Sequence, residues 1–200
     1  INVAEQTGLI EDLGRQVITL ALQQLSEWRS QGFTDITMSI NLSSLEFQNA
    51  NIISHLLATL EQNQVPGNAI IIELTESIFM EDKAKVTDTM RMLNRHGITF
   101  ALDDFGKGYS SFSYLHSLPL QYLKIDKAFL KDVETNSQSA TITKTIIDIG
   151  HNLGLQVIAE GIENDYMLNY VRQHRCDIGQ GFHLHKPMPA EEVTPLLSRS

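Results

Sequence analysis

The run ITFALDD (98–104) decides how this chain is read. It is apolar until its last two positions, turns acidic at Asp103 and Asp104, and is followed at once by Gly106. The same grammar recurs on either side. MSIN ends at Asn41, IIIELTE carries Glu73 and Glu76, and LKID carries Lys124 and Asp126. VIAEGIE carries Glu160 and Glu163, and CDIGQG carries Gln180. Helical stretches separate these runs. Strands that alternate with helices predict an α/β protein built on a parallel sheet. Polar groups gathered at the C-terminal ends of such strands are what an active site on a (β/α) barrel requires. Six βα units can be counted. A closed barrel takes about eight strands, so two strands are expected to be missing before Ile1.

The helices follow from spacing. Ile10, Leu13, Val17, Ala21, Leu25 and Trp28 recur at helical intervals, and Gly32 ends that helix. Residues 36–42 read as a buried strand. A helix from about 44 to 62 is expected, closed by the turn at Pro66-Gly67. Residues 70–74 form a β-branched, apolar run typical of a buried parallel strand. Asp82 caps a helix whose Val86, Met90 and Leu93 share a face, and Gly97 stops it. Strands are expected at 98–102, 122–125 and 157–159. The intervening helix carries Ile142, Ile146, Ile149 and Leu153 and ends at Gly154. Residues 166–171 fall on a helix, 178–184 on a last strand, and Pro189 opens a final helix.

Bulk composition narrows the function. Two hundred residues, 42% hydrophobic and 20% charged, fit a single globular domain spanning 1–200. The net charge of −9 argues against a nucleic-acid polymer as partner. It leaves room for a small phosphorylated ligand, because a bound divalent cation inverts the local potential. Cys176 is the only cysteine, which excludes an intrachain disulfide and a thiolate cluster. A reducing, cytoplasmic setting is expected. The chain opens on Ile1, and its first residues read as the middle of a domain, so a longer parent is expected, membrane anchoring being left to another domain of it.

The strand-end residues carry the chemistry. Asp103-Asp104 reads either as a pair of metal ligands or as a solvated turn with Asp104 capping a helix. Adjacent strand residues point to opposite faces, so both acids can turn to one side only if the strand breaks there. Glu73 closes an apolar run, where a carboxylate is costly unless a metal or a buried lysine compensates. Lys124 sits between apolar neighbours with Asp126 two residues on; the alternative is a structural ion pair. Glu160 is a third strand-end acid, Glu163 either supports the site or caps the next helix, and Asn41 and Gln180 can orient a ligand or satisfy loop backbone. His183 and His185 flank Leu184 and read as spectators. There is no Walker loop, GxGxxG or GxSxG, and Ser110-Ser111 have no histidine base beside them.

The motifs NLS (41–43), ELTES (73–77), DDFGKGYSS (103–111), LKID (123–126), AEGIE (159–163) and QG (180–181) resemble those of the EAL-domain family along the whole chain. That family comprises bacterial cyclic di-GMP phosphodiesterases and inactive receptor relatives. The resemblance implies a modified TIM (β/α)8 barrel, about six of its eight βα units in this chain, that hydrolyses cyclic di-GMP to linear pGpG with two Mg²⁺ or Mn²⁺ ions, Ca²⁺ inhibiting. It implies Asn41, Glu73 and Asp103 on one metal and Asp103 shared with Asp104 on the second, supported by Asp126. Lys124 and Glu160 are implied as catalytic, Gln180 as lining the mouth, Glu76 as bracing the loop that begins at Asp104, and Glu163 as support from behind. A homodimer and a further sensor or GGDEF-type domain in the parent are expected partners. The Glu-Ala-Leu motif that names the family is not in this chain, so the fragment alone is expected to be impaired. Lys107 replaces a small residue of the family pattern, Gln121 an aspartate, and Arg175 a glycine. The competing expectation is a receptor that binds cyclic di-GMP without cleaving it.

Overall fold

The computed structural model describes residues 9–80, 82–106 and 115–198. In chain order the elements are α1 (Ile10–Ser30), β1 (Met38–Asn41), α2 (Ser44–Gln48), α3 (Ala50–Gln62), β2 (Ile70–Thr75), α4 (Lys83–Arg95) and β3 (Thr99–Phe105). Then come β4 (Tyr122–Ile125), α5 (Lys127–Leu130), α6 (Ser137–Asn152), β5 (Gln156–Ala159), α7 (Asp165–Gln173), β6 (Ile178–Gly179) and α8 (Ala190–Leu197). The strands succeed one another in the sheet in chain order, and the β1–β2, β3–β4, β4–β5 and β5–β6 pairs are parallel. The described residues fall into two compact units, one within Ile1–Phe100 and Met188–Ser200, the other within Ala101–Pro187.

In the first unit, β2 is buried on both faces from Ile70 to Leu74, as a parallel strand covered by helices must be. Ile70, Ile72 and Leu74 are fully inaccessible. Phe100 meets Phe47 edge to face, with ring centroids 6.1 Å apart. Each such side chain contributes roughly 2–3 kcal/mol by leaving water. Helix α1 differs from its expected stripe. It buries Ile10, Gly14, Ile18, Leu22, Leu25 and Trp28, while Leu13 and Val17 stay 45% and 44% exposed. The helix has two apolar faces, and spacing alone does not say which is covered.

The expected 44–62 helix is two helices. Asn49 adopts an extended backbone and its side chain accepts the Asn51 N–H at 2.9 Å, starting α3 afresh. Ser43 begins α2 with a reciprocal cap: its hydroxyl accepts from the Glu46 N–H, and the buried Glu46 carboxylate accepts from the Ser43 N–H. A Cβ at Gly14 of α1 would overlap the Glu46 carboxylate, so any side chain there would push that carboxylate aside.

Five helices end in the same double turn, in which a left-handed residue lets its own N–H and that of the next residue reach back to the last helical turn. Gly32, Gly97 and Gly154 supply it after α1, α4 and α6, as their positions predict. Gln64 supplies it after α3 at φ 53, and Arg175 after α7 at φ 61. The helix ends at the expected Gln62, and the turn that closes it is made at Gln64, ahead of Pro66-Gly67. Strand β3 runs three residues beyond the expected Leu102, to Phe105. Strand β6 is far shorter than the expected 178–184. The backbone of Gly181 lies so close to Ile162 that no Cβ fits, and the chain turns there, with the Leu184 and His185 N–H groups both donating to the Gly181 carbonyl.

Candidate active site

The acid pair at 103–104 sits on an irregularity in β3. Leu102 pairs with Leu123 and Phe105 with Ile125, so three steps along β3 answer two along β4. The extra residue is accommodated at Asp104, whose φ is 56. This left-handed conformation is uncommon for a residue with a side chain and costs roughly 1–2 kcal/mol. The irregularity thus falls at Asp104, inside β3, and the strand resumes at Phe105 before Gly106 is reached. The Asp104 N–H donates to Asp103 Oδ1 at 2.8 Å, fixing one carboxylate against the other's backbone. A helix cap by Asp104 would fall on residues 107–114, which lie outside the described set, as do Lys107 and Ser110-Ser111.

Lys124 in β4 is 3% exposed. Its ammonium lies 2.6 Å from Glu160 Oε1 and 3.5 Å from Asp103 Oδ2. Three neighbouring strands thus bring Asp103, Lys124 and Glu160 together in the second unit. Asp126 is equally buried, and its Oδ1 accepts the Ala128 N–H at 2.8 Å, capping α5. The pairing of β5 with β6 continues past both strands: the Gln180 N–H donates to the Ala159 carbonyl, and the Ile162 N–H donates to the Gln180 carbonyl. This sets Gln180 beside Glu160 in the ladder, with its side chain exposed. Glu163 is exposed and does not cap α7; Asn164 does, accepting from the Met167 N–H. His183 Nε2 lies 3.1 Å from Asp165 Oδ1.

In the first unit Asn41 and Glu73 are register partners at the ends of β1 and β2. Glu73 is 5% exposed, while Asn41 is open to solvent. Both line a cavity of about 550 Å³ together with Thr75, Ser77, Leu13 and Val17. Thr75 and Ser77 share a hydroxyl–hydroxyl bond of 2.9 Å. Sequence reasoning missed these two, although their alternation with Glu73 and Glu76 within ELTES was a usable signal. Glu76 Oε2 is buried without a hydrogen-bond partner among the described residues. Within that set no three acids, histidines or cysteines gather closely enough to hold a metal ion by themselves. The donors present are carboxylate and amide oxygens, the chemistry that hard divalent cations select.

The family model described as EAL domain matches residues 1–187, and the chain belongs to the EAL-domain family. It is 41% identical over 192 residues to the signaling protein YkoW of Bacillus subtilis, covering 96% of this chain and 24% of that protein. It is 35% identical over 193 residues to the bifunctional diguanylate cyclase/cyclic di-GMP phosphodiesterase MucR of Pseudomonas aeruginosa, covering 96% of this chain and 28% of MucR. The chain thus spans about a quarter of the length of these curated relatives. The solved PaMucR phosphodiesterase in complex with c-di-GMP superposes with a TM-score of 0.92 at 35% identity, covering 96% of this chain and 78% of that one. The fold is accordingly the TIM-barrel-like α/β fold of EAL domains, with six parallel strands in this chain. No helix among the described residues is long and apolar enough to cross a membrane.

Proposed function

We propose that this chain belongs to a cyclic di-GMP phosphodiesterase that opens the cyclic dinucleotide to linear pGpG. One observation carries the reading: a buried lysine, Lys124, held between the strand-end acids Asp103 and Glu160. A purely structural ion pair at such a place is weak evidence for stability, since desolvation offsets most of the attraction. The same trio is well suited to handling water. The Lys124 ammonium donates to a water oxygen and fixes its direction, while Glu160 accepts the proton that water loses on attacking phosphorus. The P–O3′ bond breaks as the new P–O bond forms, and the departing O3′ takes a proton from solvent, leaving a 5′-phosphate and a free 3′-hydroxyl.

Asn41, Glu73, Asp103, Asp104 and Asp126 are the proposed holders of two Mg²⁺ or Mn²⁺ ions. Bound divalent cations would neutralise phosphoryl oxygens and make water a stronger nucleophile. Gln180 and Glu163 are proposed to support the site around Glu160, and Glu76 to brace the loop after Asp104. A homodimer, a further sensor or GGDEF-type domain and a cytoplasmic site of action complete the proposal.

The test is incubation of the longer parent, with its Glu-Ala-Leu glutamate present, with cyclic di-GMP and Mg²⁺ or Mn²⁺, following pGpG by chromatography, with Ca²⁺ as the expected inhibitor. Binding without pGpG would replace the enzyme reading with that of a receptor. Absence of both would remove cyclic di-GMP from the function.

A further inference from the structure

A cavity of about 380 Å³ opens in the second unit between α5 and the loop that follows β5. Lys127, Ala128, Lys131, Gly161, Glu163 and Met167 line it. Lys131 caps α5 with a helical backbone, so Lys127 and Lys131, four apart, share one side of that turn. Among the described residues neither ammonium has a hydrogen-bond or ion-pair partner, and both are exposed. Gly161, at φ 71, presses its backbone on Lys127, where a Cβ would overlap the lysine's own Cβ. That wall of the cavity is the Gly161 backbone. Met167 is buried and, with Ala128, gives the lining an apolar part.

We propose that this cavity binds a small organic phosphate of mononucleotide size. The phosphoryl group sits between Lys127 and Lys131, a ligand hydroxyl donates to Glu163, and the apolar body rests on Ala128 and Met167. The volume falls in the range of small-molecule sites. Lysine ammonium is a point-charge partner for phosphate. In a chain of net charge −9, two unpaired ammonium groups side by side make a local positive spot that draws anions. A single carboxylate in the lining leaves it net positive. The cavity contains none of the proposed metal ligands and neither proposed catalytic residue; Glu163, proposed above to support the site around Glu160, is the one residue of its lining shared with that site.

The test is calorimetric titration of this chain with GMP in EDTA, which keeps divalent cations out. The wild type is compared with Lys127→Gln/Lys131→Gln, with Lys131→Gln alone, and with Lys186→Gln as a charge-matched control. GMP should bind, the double variant should weaken it by about tenfold or more, Lys131→Gln should weaken it less, and Lys186→Gln should leave it unchanged. Guanosine, lacking the phosphate, should fail to bind. The proposal is overturned if GMP does not bind, if guanosine binds as tightly, or if the folded lysine variants bind like wild type. A negative result leaves metal-dependent cleavage of cyclic di-GMP untouched, because that is read in a separate assay with metal present.

Discussion

Lys124 Nζ lies 2.6 Å from Glu160 Oε1, joining the last turn of one strand to the residue just past the next. The register makes this contact local. Ile125 of β4 pairs with Ala159 of β5, and the Glu160 N–H donates to the Ile125 carbonyl. Lys124 itself pairs with Ile158, so Glu160 stands two residues further along on the same face and Lys124 reaches it diagonally, while burial of Lys124 removes the water that would screen them.

Replacing Lys124 with alanine should lower cyclic di-GMP turnover by about 100-fold or more while changing KM much less, because the lysine acts on the attacking water. It should also cost roughly 3 kcal/mol of stability, since a buried pair loses one partner. Steady-state kinetics and chemical denaturation on the same preparation separate the two effects. Near-normal turnover would remove Lys124 from the mechanism. Unfolding alone would make it a structural residue.

Asp104 combines a carboxylate with a left-handed backbone, and two substitutions pull these apart. Asp104→Gly keeps the conformation at no steric cost and loses the acid, whereas Asp104→Ala keeps the strain and loses the acid. The glycine variant should be more stable than the alanine variant by about 1 kcal/mol, and both should lose turnover. Equal stabilities would show that the bulge relaxes in the absence of the carboxylate.

Much of this was legible in the sequence because apolar runs ending in acids mark both a strand and the end of it that matters. Tyr122–Ile125 was readable to the residue, and the glycine stops at 32, 97 and 154 follow from the left-handed backbone those turns need. What was hidden depends on partners distant in sequence. Nothing in GQGFHL announces that Gly181 must fold onto Ile162, so pattern alone makes the last strand too long. The break at Asn49 is a side-chain cap competing with helix propagation, a contest that periodicity cannot decide. The two apolar faces of α1 have equal claims until the packing is seen. Among the site residues, the grouping of Lys124 with Glu160 and Asp103 needed the register, since any strand-end acid could have been its partner.

Asp177 ties three elements together. Its Oδ2 accepts the Val157 N–H at 2.7 Å and lies 2.9 Å from His151 Nε2. Burial raises its pKa, but the Val157 N–H and His151 outweigh this and hold it below the ordinary 3.8. A carboxyl depressed on folding contributes stability that is fully present above its unfolded value and lost as pH falls through the lower folded value. Acid unfolding followed by circular dichroism should therefore show less loss below pH 3.8 in Asp177→Asn than in wild type, with the variant less stable at neutral pH. Parallel acid profiles would show that the backbone holds β5 without the carboxylate.

Arg175 offers the clearest route to a more stable chain. It closes α7 at φ 61, with its own N–H donating to the Arg172 carbonyl and the Cys176 N–H donating to that of Val171. The turn requires a left-handed residue, and arginine brings a Cβ that crowds the backbone there. Its side chain is exposed and has no hydrogen-bond or ion-pair partner among the described residues, so removing it gives up little contact. Arg175→Gly should stabilise by about 1 kcal/mol, reduced somewhat by the extra freedom glycine gives the unfolded chain. In a domain of this size that raises Tm by roughly 2–4 °C. Arg175→Ala, which keeps the Cβ, should give no gain, and Gln64→Gly, at φ 53 after α3, should repeat the effect independently. Differential scanning calorimetry of the two glycine variants and their combination checks both size and additivity. If Arg175→Gly lowers Tm while Gln64→Gly raises it, the arginine side chain makes a compensating interaction that outweighs the backbone strain at that turn.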